Sequence, residues 1–341
     1  MIWEQAALLL LALLMSATLT LLVRRRALAR GFLDQPNARS SHTIATPRGG
    51  GASIVLVASA GLVILAWLGR LHAGLAAALL VGGGAVAGIG FLDDRVSVPP
   101  RIRIAVHLGA ALFATECLGG LPDVWVGDHL VHLGWWGDVL ALLGIVWALN
   151  LFNFMDGIDG IAGSEAVFVL VTVGVLGALG GQSAEVSAVG LLIGASCAGF
   201  LWWNWPPARI FMGDVGSGYL GYVIAVLALA ASRESPASLW TWLILGGVFF
   251  VDATVTLARR LLRGERVYEA HRSHAYQWLA RRWGSHKSVT MTVTAVNLLW
   301  LLPCASFATR YPQWDLWTVL MALIPLGVGA IAAGAGRREN G

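Results

Sequence analysis

Five groups of polar residues carry the chemistry available to this chain. They are Asp93-Asp94; the run Asn150-Leu-Phe-Asn153-Phe-Met-Asp156-Gly-Ile-Asp159-Gly; Asn204 and Asp214, bracketing a loop that ends Phe211-Met-Gly-Asp214; Asp252; and His271-Arg272-Ser-His274. Oxygen donors from separate segments suit Mg²⁺, which takes one or two carboxylates and leaves its other positions to water and substrate phosphates. Many arginines lie among these groups, and guanidinium suits bidentate recognition of phosphate. Acids and amides converging among arginines describe a site for a phosphorylated, Mg²⁺-bound substrate.

Each group also has a plainer reading. Asp93-Asp94 can be a solvated helix end, and the Asp-Gly pairs can be turns. Gly213-Asp214 can cap a helix, which would still leave free amides facing a phosphate. Asp252 lies about 10 Å inside a helix end and needs a partner, for which Arg259 is the expected choice. His271 and His274 have no third zinc ligand nearby. The stretch 265–283, with Tyr268, Tyr276, Trp278 and Trp283, reads as a helix at the membrane surface. Gly49-Gly50-Gly51 lacks the Lys-Ser/Thr of a P-loop and follows no strand. Gly84 and Gly88 form a small-xxx-small pair suited to helix packing.

The elements that must hold these residues follow from composition. Of 341 residues, 57% are hydrophobic before 42 glycines are added, 12% are charged, and the mean hydropathy is +0.72. That excludes a soluble enzyme, a disordered chain and a disulfide scaffold, and leaves an all-α polytopic membrane protein. Cys117, Cys197 and Cys304 form no CxxC pair. Eleven apolar segments are expected to span, near 6–23, 51–69, 73–92, 104–119, 137–152, 162–180, 186–203, 215–231, 238–258, 288–308 and 314–333, against roughly 20 residues needed per span. The first is not a cleaved signal, because Glu4 precedes it and Arg24-Arg25-Arg26 follow. With the N-terminus outside, 20 of the 23 basic residues fall in inside segments and 3, Arg70, Arg233 and Arg310, outside. This asymmetry sets the orientation, with the C-terminus in the cytoplasm. It also makes the basic pI a matter of topology rather than of nucleic acid. The loop at about 120–136, with Asp123, Asp128, His129 and His132, reads as solvated. The whole of 1–341 reads as one transmembrane domain, with cytoplasmic active-site loops at about 24–50, 93–103, 153–161, 204–214 and 259–287.

From about Asp34 to Gln277 the motifs resemble the polyprenyl-phosphate N-acetylhexosamine-1-phosphate transferases, the WecA-like and MraY-like membrane enzymes of glycosyltransferase family 4. The resemblance is carried by Pro47-Arg48-Gly49-Gly50, Phe91-Leu-Asp93-Asp94, the Asn150–Gly160 run, Phe211-Met-Gly-Asp214-Val-Gly-Ser217 and His271-Arg-Ser-His274. It implies transfer of a sugar-1-phosphate from a UDP-N-acetylhexosamine to undecaprenyl phosphate, with release of UMP, in the bacterial inner membrane with the site facing the cytoplasm. It implies Mg²⁺, or Mn²⁺, held by Asp214 and Asn153. Asp93, Asp94 and Asp156 would form the catalytic set. Asp159, Asn204, Phe211, Arg48, His271, Arg272 and His274 would bind substrate, with Phe211 near the uracil. Asp93 or Asp94 is the implied general base, yet a phosphate monoester is mostly dianionic at pH 7, so Asp93 can instead position the acceptor.

The Arg-Ser-Ser-His42 loop and His271-Arg-Ser-His274-Ala-Tyr-Gln look most like the O-antigen-initiating, WbpL-like branch, with donors of the UDP-GlcNAc, UDP-FucNAc or UDP-QuiNAc type. The phospho-MurNAc-pentapeptide transferases usually have a lysine soon after the aspartate pair, where Arg95-Val96-Ser97 stands, with Arg101 and Arg103 beyond. They also have methionine at Arg48 and three histidines in place of His271-Arg-Ser-His274. A transporter would set acids near the midplane, whereas here only Asp252 is expected to be inset. A second copy of the chain is a partner that the glycine-rich third span could receive.

Overall fold

The structure is a computed structural model that describes residues 2–36, 44–126, 129–181, 183–235, 238–266 and 271–338. The His42 loop, Asp128 and Tyr268 lie outside the described residues. Helix is found in every one of the eleven apolar segments. In order these are α1 (Ile2–Ala29), α2 (Gly51–Trp67), α3 (Ala73–Val96), α4 (Pro100–Leu118), α5 (Trp135–Met155), α6 (Ile161–Leu176), α7 (Ala184–Asn204), α8 (Asp214–Glu234), α9 (Ser238–Leu245) with α10 (Gly247–Leu262), then, after the short α11 (Ala275–Trp283), α12 (His286–Arg310) and α13 (Asp315–Ala333). In lipid a backbone must satisfy its own hydrogen bonds, so runs that are apolar all round become helices.

Among the described residues eight helices are long and apolar enough to cross a membrane, and a ninth crossing arises if α9 and α10 count as one. That falls short of the eleven clear spans expected. The segment 238–258 is bent by 77° at Gly246, whose φ of −80° and ψ of 10° depart from helical values. Helix α2 has only 17 residues. Helix α4 opens on Pro99-Pro100 and carries Arg101, Arg103 and Glu116, which dilute its apolar surface.

The core centres on α8, most of which is buried, against α2, α3 and α5. Tyr222 of α8 donates to Ala78 O at 3.0 Å, where a π turn at Ala78–Gly82 opens α3 to receive the ring. Gly90 lets α3 touch the backbone of Asp214, since a Cβ there would overlap it. Gly84 and Gly88, by contrast, face outward and meet nothing in this chain. Side chains such as Leu10, Leu14 and Leu299 are exposed, as a lipid-facing surface would be.

Two small elements refine the loops. β1 (Leu33–Asp34) pairs antiparallel with β2 (Thr46–Pro47). The segment expected to be a solvated loop contains a hairpin, β3 (Val124–Val126) with β4 (His129–Val131). Asp123 accepts from Leu133 N–H at 2.9 Å and sits 2.6 Å from His132 Nδ1, which holds the exposed Asp123 below the ordinary carboxylate range.

Candidate active site

Two glycine-rich segments meet by backbone pairing. Phe211 N–H donates to Pro47 O (2.8 Å), Gly50 N–H to Phe211 O (2.9 Å) and Gly51 N–H to Met212 O (2.9 Å). A Cβ at Gly51 would overlap the backbone of Gly216, so α2 and α8 approach closely only because both positions are glycine. This contact carries Arg48 to the head of α8. Its Nε lies 2.8 Å from Asp94 Oδ1 and its Nη2 2.9 Å from Asp214 Oδ1. Burial opposes the charge on Arg48, but Asp94 and Asp214 outweigh it and hold its pKa above the ordinary arginine value.

Asp94 also caps α8, accepting from Asp214 N–H (2.9 Å) and Val215 N–H (3.2 Å). Gly213 makes that approach possible. Its φ is +77°, and a Cβ there would sit 2.5 Å from Asp94 Oδ2. Asp93, one residue earlier, points to a different partner set. It accepts from Val98 N–H at 2.6 Å and pairs with Arg103 at 2.5 Å, and the same Arg103 nitrogen reaches Asp214 Oδ2 at 3.5 Å. Arg103 thus stands beside the aspartate pair on the following helix, a role its sequence position alone did not announce.

Below this knot is a cleft of about 220 Å³. Of the expected residues, Arg48, Asn153, Asp156, Asp159, Asn204, Phe211 and Asp214 line it. Asp34, Ser217, Gln277 and His286 line it too and were not foreseen. Asn153 comes within 3.4 Å of Ser217 Oγ. Asp156 is half-buried by its own exposure, and burial, reinforced by Asp214, pushes its carboxyl well above the usual range. Asp159 is braced from three sides: Oδ2 accepts from Ala208 N–H (3.0 Å), Oδ1 lies 3.2 Å from His286 Nδ1, and its carbonyl accepts from Thr290 Oγ1 (2.8 Å). Asn204 is 3% exposed and acts as a latch, accepting from Gly160 N–H (3.1 Å) and donating to Ile210 O (2.9 Å).

Asp93, Asp94, His271, Arg272 and His274 are not among the cleft-lining residues. His274 is buried, its ring stacked between those of His271 (4.9 Å) and Tyr276 (5.8 Å). Burial, with His274 beside it, pushes His271 down to about 3, so it offers no cation near neutral pH. The expected Asp252–Arg259 ion pair does not form. Asp252 instead caps α11, accepting from Ala275 N–H (2.9 Å) and Tyr276 N–H (3.1 Å), with His274 Nδ1 at 3.4 Å. Arg259 donates to Ala335 O. Among the described residues of the stretch 265–283 the helix is Ala275–Trp283, and Tyr276 turns inward to donate to Phe154 O at 2.9 Å. Among the described residues no three His, Cys, Asp or Glu side chains gather into a ready-made metal cage.

Residues 76–232 match the model of glycosyl transferase family 4. The chain is 29% identical over 321 residues to a probable undecaprenyl-phosphate N-acetylglucosaminyl 1-phosphate transferase of Bacillus subtilis, covering 93% of this chain and 88% of the relative. It is 25% identical over 334 residues to a decaprenyl-phosphate N-acetylglucosaminephosphotransferase of Mycobacterium leprae, covering 89% and 84%. It is 33% identical over 177 residues to a phospho-N-acetylmuramoyl-pentapeptide-transferase of Streptococcus pyogenes, covering 49% and 51%. The family match and the two near-full-length likenesses support the transferase superfamily that the motifs resemble, and they indicate that the chain is an enzyme, a phosphotransferase.

Proposed function

We propose that the enzyme transfers an N-acetylhexosamine 1-phosphate from a UDP-sugar to undecaprenyl phosphate at the cytoplasmic face of the bacterial inner membrane. UMP leaves, and the product starts a lipid-linked polysaccharide of the O-antigen kind. The observation that carries this reading is Arg48 held between Asp94 and Asp214 at a cleft that also contains Asn153 and Asp156. Near-full-length likeness to relatives named for N-acetylglucosamine transfer supports UDP-GlcNAc as first donor, ahead of UDP-FucNAc and UDP-QuiNAc. Likeness to the pentapeptide transferase stops at half of each chain. Arg48, the Arg95-Val96-Ser97 stretch after the aspartate pair and the His271–His274 segment also depart from that branch.

The donor set fits Mg²⁺, and Mn²⁺ by the same oxygen chemistry. Asp214 and Asn153 would hold the ion, with the Asp156 carboxyl beside them. Few protein carboxylates and no closed cage suit an ion that keeps substrate phosphates in its shell. When bound it neutralises diphosphate charge, the main barrier when two anions meet at phosphorus. The chain's own residues do the rest. Arg48 and Arg103 add fixed positive charge where charge builds. Asp94 holds Arg48 and the α8 terminus in register, and Asp93 orients Arg103. The acceptor phosphate needs no base, being mostly dianionic already. Asp159, Asn204 and Phe211 shape the nucleotide end of the cleft.

Purified protein with undecaprenyl phosphate, Mg²⁺ and a panel of UDP-N-acetylhexosamines should release UMP only when lipid and metal are both present, and not with Asp214→Ala. No UMP from any donor with folded protein would remove the activity; metal-independent behaviour with substrate flux would favour a transporter.

A further inference from the structure

Acids were expected at one face with only Asp252 inset, but Glu165 is a second inset acid. It lies in the second turn of α6, is 0% exposed, and belongs to no group described above. Its partner is Asn297 of α12, 1% exposed, whose Nδ2 donates to Glu165 Oε2 at 2.6 Å. Asn297 opens a π turn, Asn297–Leu301, a local widening that costs regular hydrogen bonding and is often kept for a purpose. The pair leaves two buried oxygens without any partner, Glu165 Oε1 and Asn297 Oδ1. Among the described residues no arginine, lysine or histidine is paired with Glu165.

An ionised carboxylate is acceptor-only, so both orphans would stay unmet beside a buried uncompensated charge, which is expensive. A protonated carboxyl has one donor. That donor and the Asn297 carbonyl are the two missing halves of a second hydrogen bond. We propose that Glu165 is carried as the neutral acid and forms a closed two-bond pair with Asn297, which latches α6 to α12 and so positions the Asp159 end of the cleft. The same face of α12 carries Thr290, seven residues earlier and fully buried, whose hydroxyl binds Asp159 O. The helix starts with His286, against Asp159 Oδ1. Asp159 in turn lies six residues before Glu165. The latch therefore closes a loop of contacts from α6 through Asp159 and α12 back to α6. Glu165 is a positioning residue in this scheme, because it does not itself line the cleft.

The test has two arms. Infrared spectra of the purified protein at neutral pH should show a protonated-carboxyl carbonyl band that is lost in Glu165→Gln. This arm does not depend on the reaction. The kinetic arm rests on the proposed transfer. Glutamine keeps both donor and acceptor, so Glu165→Gln should release UMP at close to the parent rate, while Glu165→Ala and Asn297→Ala should fall about tenfold or more through a displaced Asp159. Absence of that band from folded parent protein would overturn the neutral acid. Glu165→Gln falling as far as Glu165→Ala would overturn the latch. Were no donor turned over at all, the infrared arm would still decide the protonation state.

Discussion

Arg48 serves two carboxylates on different helices through two different nitrogens, Nε to Asp94 and Nη2 to Asp214. A lysine has one point charge and cannot span both. Arg48→Lys should therefore lower UMP release by about 10²-fold, the scale of one lost preorganised charge contact, and Arg48→Ala by at least as much. Near-parental rates in the lysine variant would mean that the guanidinium geometry is not used. Asp156 invites a pH experiment. Burial, with Asp214 next, raises its carboxyl well above the ordinary range. Such an acid keeps its proton in the fold where the unfolded chain has released it. Stability contributed by this group is then full below the unfolded pKa and is lost as pH rises through the folded one. In metal-free detergent the thermal midpoint should fall as pH rises above the ordinary carboxylate range of about 4, and Asp156→Asn should flatten that slope. Mg²⁺ should also flatten it if the ion sits beside Asp156. Equal slopes in parent and variant would sink the assignment.

At the scale of elements, two short-range devices hold the site together. The first is the Asp252 cap on α11. Removing an N-cap side chain costs about 1 to 2 kcal/mol, enough to fray a nine-residue helix. Asp252→Ala should raise protease cleavage between Arg263 and His274 and weaken UMP release, with Asp252→Asn milder because it retains an acceptor. Unchanged cleavage would show that packing and the His274–Gln277 capping box hold α11 without Asp252. The second device is the tight turn before α8. Gly213→Ala forces a side chain onto φ +77° and against Asp94. The expected result is a folded protein by circular dichroism with little activity, since the α8 terminus and the Arg48 contacts move together. Full activity would mean that the Asp94 cap can shift without consequence.

For the whole molecule, the number of crossings sets on which side the C-terminus lies. The arginine asymmetry favours an odd number of crossings, with the N-terminus outside and the C-terminus inside. The bend between α9 and α10 decides the parity, because a pair that dips and returns would put both termini on one side. A fluorescent protein fused after Gly341 should fold and glow in the cytoplasm, and alkaline phosphatase at the same point should stay inactive. The reverse result would make the α9–α10 pair re-entrant and break the odd count.

Composition and periodicity were enough to make the chain helical and membrane-bound, and to find helix at all eleven apolar segments. Lipid leaves the backbone few choices, so local sequence speaks loudly there. The residue types around the cleft were legible for the same reason: Asp, Asn and Arg near a bilayer are costly and stand out. Seven of the expected residues do meet at one cleft. What local sequence could not supply was partnership. Asp252 takes the α11 amides rather than Arg259, Arg103 joins Asp93, and His286 and Glu165 find Asp159 and Asn297 across more than a hundred residues. Helix formation is decided by residues within a turn of one another, whereas ion pairs and caps between helices are decided only when tertiary packing brings distant turns to hydrogen-bond distance.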